Sequence, residues 1–197
     1  DRIVIISLYL AQGDEELAEK AVRNIMEAYQ PATPTALNSG KKARGELVSC
    51  FKLSIDDTMN SIAENIGYCL ELSRLGGGVG TLLTDLRPLG DPIKGILNRA
   101  SGVMPVAKLL ENSFSYSNQL GQRNGSGVAY LNIFHGDIEE FISSKKPNAD
   151  EKIRLATLST GVIIPDIFFT LMQKDKDIVL FSPYDIYKEY GKRMSEI

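Results

Sequence analysis

Short apolar runs alternate with amphipathic helical stretches along most of this chain, and that alternation limits the fold more than any other feature. Residues 46–55 read as a strand with apolar Leu47, Phe51, Leu53 and Ile55. Asp57 or Thr58 then caps a helix to about residue 75, striped by Met59, Ile62, Ile66, Cys69 and Leu70. Gly76-Gly77-Gly78 breaks that helix, and 79–86 reads as a second buried strand. A helix over 103–116 carries Val106, Leu109, Leu110 and Phe114 in register. A third strand over 127–133, a short helix over 137–145 and a fourth strand within 155–164 follow. A helix over 166–174, a short strand over 178–181 and a helix over 185–194 complete the pattern. Ahead of the first strand, 2–11 and 14–29 read as helices, the second capped by Asp14 and ended by Pro31 and Pro34. This order predicts an α/β fold with no internal repeat, low-complexity tract or domain linker.

Bulk properties narrow the function. The 197 residues suffice for one domain or a large part of a bigger one. A net charge of -3 gives no basic excess for a general nucleic-acid binder. No apolar run approaches the roughly 18 residues of a membrane span. Two cysteines, Cys50 and Cys69, do not make a secreted disulfide framework, so a reducing cytoplasm is expected. The opening DRIVIISLYLAQGDEE has no charged n-region with a cleavage site and no initiator methionine. That predicts a chain cut from something longer.

The run QPATPTALNSGKKARGELVSCF, 30–51, holds the most suggestive chemistry. Thr33 and Thr35 lie in a Pro-rich turn, followed by the cations Lys41, Lys42 and Arg44, then Ser49 and Cys50. A thiol beside hydroxyls, with cations near, can hold a polar substrate and change its oxidation state. The ordinary reading of Cys50 is a buried strand thiol, because free cysteine is among the most buried residue types.

GGGVG, 76–80, lets backbone N–H groups approach a phosphate closely, but it follows a helix and lacks the G-x-G-x-x-G spacing and a Walker lysine. A plain helix stop explains it equally. The loop LGQRNGSG, 120–127, offers two amides, Gln122 and Asn124, and the cation Arg123. Its alternative is a flexible surface connection. Arg87 sits in the loop RPLGDP, where it reads as a solvated charge. Asp57 reads first as an N-cap, although a carboxylate there can also accept ribose hydroxyls. His135, the single histidine, has no ligand-spaced partners, so a metal site is not expected. It caps or precedes the helix at Asp137. Cys69 reads as packing.

The segments QPATPTALNSGKKARGELVSCF, SRLGGGVGTLL, RPLGDPIKGI, SFSYSNQLGQRNGSGVAYL and NADEKIRLATLSTGVIIPD occur in one order. Together they resemble the large (alpha, catalytic) subunit of class I ribonucleotide reductase, over essentially the whole chain. The GKKARGELVSCF form is similar to the class Ib subgroup. The resemblance implies a single partial domain over 1–197: a helical lead-in over 1–30, then the first half of a ten-stranded α/β barrel over 31–197. It implies reduction of ribonucleoside diphosphates to deoxyribonucleoside diphosphates for DNA synthesis, by radical and dithiol chemistry. Cys50 matches the first cysteine of the redox pair that reduces the ribose 2′ carbon. Thr33, Ser49 and Gly78 match substrate contacts, and Thr35 is a further one. Asp57 and Arg87 match positions of the specificity-effector site, and Gln122 and Arg123 match the loop that relays effector identity to the substrate base.

The same resemblance implies partners. They are deoxynucleotide or ATP effectors, a radical-generating small (beta) subunit with a dimanganese or diiron centre, a thioredoxin- or glutaredoxin-like reductant, and a second copy in a homodimer. It implies no cofactor or metal in this chain, no nucleic acid and no membrane.

The family's Asn-x-Cys-x-Glu motif, the partner of the Cys50 disulfide and the C-terminal cysteine pair do not occur in these residues. The 197 residues alone are therefore expected not to turn over. An alternative of another class is a non-catalytic nucleotide-binding or dimerisation module built on the helices at Asp57 and Val103. A glycyl-radical or cobalamin-dependent relative with the same barrel is a third.

Overall fold

A computed structural model describes residues 1–41, 46–117 and 125–197. They form two compact units, Asp1–Ser49 and Cys50–Ile197. In the first, α1 (Arg2–Ala11) ends where Gln12 and Gly13 take positive φ. Asp14 then caps α2 (Glu15–Glu27), its Oδ1 accepting the Leu17 N–H at 2.9 Å, with Glu15 and Glu16 at the positive end of the helix dipole. The two helices pack together and bury Ile6, Ala11 and Ala18. The prolines that end α2 do not leave a plain turn. Pro34 occupies the first turn of a further helix, α3 (Thr33–Asn38), where a missing N–H costs nothing. Thr33 and Thr35 therefore lie on a helix.

The second unit alternates strand and helix. In chain order these are β1 (Cys50–Ser54), α4 (Met59–Arg74), β2 (Gly78–Leu82), α5 (Val103–Tyr116), β3 (Ser126–Asn132), α6 (Ile138–Ser143) and β4 (Ser159–Ile163). After them come α7 (Asp166–Gln173), α8 (Pro183–Tyr190) and a 3-10 turn, Met194–Glu196. The four strands are parallel, in the order β1-β2-β3-β4. Each crossover thus steps one strand in the same direction. Parallel crossovers are right-handed, so equal steps put α4, α5 and α6 on one face. That is the winding of a barrel; a doubly wound sheet reverses direction partway.

The faces are chemically distinct. Phe51, Leu53, Val79, Ala129, Leu131 and Val162 meet Cys69, Val103, Leu110, Phe114 and Phe141 in one core. Burying each large side chain contributes roughly 1.5–3 kcal/mol. Alternation then puts Cys50, Lys52, Gly78, Gly80, Tyr130 and Gly161 on the other face. Two glycines admit close neighbours: the Phe114 ring lies against Gly127, and the Tyr130 ring lies over Gly161.

Several sequence expectations need adjustment. Residues 46–49 are outside the sheet, and β2 stops at Leu82, where the chain turns through a Leu86 N–H to Leu83 carbonyl bond. Residues 178–181 form no strand, only one bridge between Phe181 and His135. The last helix begins at Pro183, because Ser182 is its cap, and ends at Gly191 in the left-handed region. Met59 is 80% exposed and Leu109 48% exposed, so neither belongs to the core stripe. No helix of the described residues is long and apolar enough to cross a membrane.

Candidate functional site

Cys50 is exposed, contrary to the buried-thiol reading. The reason is its parity in β1: Phe51 and Leu53 take the helix-covered face, and Cys50, Lys52 and Ser54 take the other. Its register partner on β2 is Gly78. Both residues open their strands, so they share one end of the sheet. Cys69 differs in every respect. It is fully buried in α4 among the core side chains, and burial pushes its thiol up to about 12. The sheet separates the two sulfurs, so Cys69 cannot be the disulfide partner of Cys50.

In the first unit, Thr33 is exposed at the start of α3. Thr35 is half-buried and donates from Oγ1 to the Leu47 carbonyl at 3.3 Å. Ser49 is half-buried and directly precedes Cys50. Gln122 and Arg123 fall in 118–124, outside the described residues.

Asp57 and Arg87 come together past the opposite strand ends. Thr58, rather than Asp57, caps α4, its Oγ1 accepting the Ser61 N–H at 3.1 Å. That leaves the Asp57 carboxylate for Arg87, whose Nε donates to Oδ2 at 2.5 Å. The Arg87 backbone N–H also donates to Oδ1, at 3.4 Å. The pair is largely shielded, at 20% and 29% side-chain exposure. Arg87 donates a second bond to the Pro92 carbonyl, and its guanidinium lies 4.9 Å from the centre of the Tyr184 ring.

Two clefts meet at this pair. One, of about 360 Å³, lies between α4, α5 and the loop after β2, with Met59, Ile62, Ile93, Val106 and Leu109 supplying apolar wall. The exposure of Met59 and Leu109 follows, because they wall a cleft. The other, of about 410 Å³, includes Tyr184, Tyr187 and Arg193. Its charges are also paired, Arg193 with Asp56 at 2.6 Å, while Ser195 bonds both oxygens of Asp85. Along β1, at about 3.3 Å per residue, Cys50 and Ser54 alone are some 13 Å apart. The thiol and the ion pair are thus distinct places on one strand and its following turn.

Sequence reasoning placed His135 just before the Asp137 helix but missed its bond to Leu86, and it missed Glu111 altogether. His135 is fully buried, with Nε2 bonded to the Leu86 carbonyl at 2.7 Å and Nδ1 accepting the Asp137 N–H at 3.0 Å. These partners fix the neutral tautomer protonated at Nε2. Burial lowers its pKa, outweighing the Leu86 carbonyl and the nearby Asp137, Asp91 and Asp85. Glu111 on α5 is 5% exposed. Burial alone would raise its pKa. The Thr157 and Leu158 N–H groups and Lys108 override that and hold it at about 2. Neither role has a local sequence signal, since the deciding partners, Leu86 for His135 and Thr157 and Leu158 for Glu111, lie more than 40 positions away. Tyr184 went unread as well; the signal that could have found it is SPYD, 182–185, a helix start with serine as cap.

Residues 48–197 match the family model for the ribonucleotide reductase barrel domain. The whole chain is 52% identical to the ribonucleoside-diphosphate reductase subunit alpha of Mycoplasma pneumoniae and spans 28% of its length. It is likewise 52% identical to that subunit of Bacillus subtilis, again over 28% of its length. Among solved structures, the Actinobacillus ureae class Id ribonucleotide reductase alpha subunit superposes with a TM-score of 0.72 at 26% identity, over 88% of this chain and 31% of that one. An exposed thiol on the sheet face opposite α4, α5 and α6, a singly wound parallel sheet and these likenesses agree: the chain belongs to the ribonucleotide reductase barrel-domain family.

Proposed function

We propose that this chain supplies one redox thiol and the nucleotide-effector site of a ribonucleoside-diphosphate reductase large subunit. The observation that carries the reading is the placement of Cys50: exposed, on the sheet face opposite α4, α5 and α6, beside Gly78 at one end of the sheet. A barrel turns that face inward. The chain spans about 28% of the relatives' length, so the remaining groups come from elsewhere in the longer protein or from partners.

In this reading a ribonucleoside diphosphate lies against Cys50 and Gly78, with Ser49, Thr33 and Thr35 as further contacts. Reduction replaces the ribose 2′ hydroxyl by hydrogen. Two thiols become one disulfide and supply two electrons, and the hydroxyl leaves as water. Cys50 is one of those thiols, and the second lies outside these residues. Radical initiation belongs to a dimanganese or diiron small subunit. A thioredoxin- or glutaredoxin-like protein reduces the disulfide again. Asp57 and Arg87, with Gln122 and Arg123, serve a deoxynucleotide or ATP effector: carboxylate to ribose hydroxyl, guanidinium to phosphate. A cytoplasmic homodimer of the class Ib type completes the proposal, on the strength of the GKKARGELVSCF form.

The test uses the full-length subunit with its small subunit and a dithiol reductant. Cys50→Ser abolishes deoxynucleotide formation while dTTP binding persists. Asp57→Ala weakens dTTP binding by roughly tenfold or more, as loss of a charged hydrogen-bond partner requires. Turnover by Cys50→Ser at the wild-type rate refutes the redox role.

A further inference from the structure

The loop over 87–102 contains no helix or extended strand, and residues 93–99 are all exposed. Loops this long are usually functional, and this one carries Arg87 at its root. It is braced inside by Gly90 N–H to Ala100 carbonyl and Asn98 N–H to Gly90 carbonyl bonds, both 3.0 Å, and by the Ile93–Ile96 bridge. Such bonds set its shape. Its position is set by two side chains that arrive together just after β3.

Asp137 is buried, and its two carboxylate oxygens take the two ends of the loop. Oδ1 accepts the Leu89 N–H and Oδ2 the Val103 N–H, each at 2.9 Å. His135 holds the residue before Arg87, donating from Nε2 to the Leu86 carbonyl. The two are also joined to each other through the Asp137 N–H and His135 Nδ1. The fit is tight. A Cβ at Gly102, whose φ is +76°, would sit 2.5 Å from Asp137 Oδ2. One at Gly136 would sit 2.8 Å from Pro88 Cβ.

We propose that Asp137 and His135 are positioning residues for the nucleotide site: they clamp both ends of the 87–102 loop and so fix the Arg87 guanidinium against Asp57. This rests on the effector reading given above. The clamp also gives β3 a double duty. The strand starts next to the 118–124 segment that holds Gln122 and Arg123, and it ends three residues before His135. Whatever displaces β3 along its axis moves the root of the Arg87 loop with it.

Asp137→Asn keeps the size of the side chain but turns an amide NH2 toward one of the two N–H donors. In the full-length subunit, the dTTP dissociation constant is expected to rise roughly tenfold, while turnover at saturating dTTP stays within about twofold. A general structural defect would lower saturated turnover instead. An unchanged dissociation constant, or a fall in saturated turnover without a change in binding, overturns the proposal. Should Asp137→Asn fail to fold, Gly102→Ala decides between the same results, since it crowds the carboxylate from the loop side and leaves it charged. Asp57→Ala is measured alongside. If it leaves dTTP binding intact, the effector reading itself fails. If it weakens binding and Asp137→Asn does not, only the positioning role falls.

Discussion

Glu111 offers the sharpest quantitative test of the packing. Its carboxylate joins α5 to the segment before β4 through the Thr157 N–H at 2.7 Å, the Leu158 N–H at 3.2 Å and Lys108 at 2.9 Å. The pKa falls from 4.5 to about 2. At about 1.4 kcal/mol per unit, that corresponds to roughly 3 kcal/mol favouring the ionised, bonded form, and the 5% exposure of the residue leaves little solvent screening. A lowered folded-state pKa adds stability that is fully present above about pH 4.5 and lost as pH falls toward 2. Amide exchange at Thr157 and Leu158 in the full-length protein reads this locally. Glu111→Gln keeps one acceptor and loses the charge, so protection at pH 7 should drop by roughly 100-fold or somewhat more, and Glu111→Ala should drop it further. Wild-type protection should converge on that of Glu111→Gln as the pH is lowered from 4.5 to 2. Wild-type protection in Glu111→Gln at pH 7, or an unchanged acid limb in that variant, would refute the reasoning.

Three shorter predictions follow from the same geometry. Native protein should react with iodoacetamide at Cys50 and not at Cys69, whose burial and raised pKa withhold the thiolate; mass mapping that finds Cys69 modified first contradicts the assigned faces. Gly127→Ala drives a methyl into the Phe114 ring and should destabilise the β3–α5 contact by about 1–3 kcal/mol, with an unchanged melting profile as the opposing result. His135 has a lowered folded-state pKa, so the unfolded chain takes up a proton that the folded one resists. Stability should fall as pH drops below about 6.5, and His135→Gln should remove that limb of the urea-midpoint profile.

The α/β architecture was legible because each strand is short, apolar and followed by a helix-period run with its own stop. The 103–116 helix has the ends its pattern predicts, and Leu109, in register with Val106, Leu110 and Phe114, walls a cleft instead of joining the core. Periodicity cannot say which strand face the missing part of a barrel would cover, and that is why Cys50 was read first as buried. Burial tendency describes cysteines in general, whereas parity against Phe51 and Leu53 decides this one. Asp57 was read first as a cap because a carboxylate before a helix usually is one. Thr58, one residue on, takes that bond and frees Asp57 for a partner 30 positions away. His135, Asp137 and Glu111 were the least legible, since their meaning lies in backbone groups distant in sequence.

Under the effector role proposed for Asp57 and Arg87, their ion pair makes the protein its own competitor. Each charge already has a partner within the protein, so an incoming molecule gains only the difference between its bonds and those it displaces. A nucleoside with hydroxyls but no phosphate would take Asp57 and strand a shielded guanidinium. Free phosphate would take Arg87 and strand a carboxylate. Each half-match leaves one charge uncompensated in a partly desolvated place, a penalty that rivals the bond gained. Only a molecule carrying both groups, at a separation that lets them replace both partners together, escapes it. On that reading the contact acts as a threshold that rejects fragments of a nucleotide without any residue built to repel them.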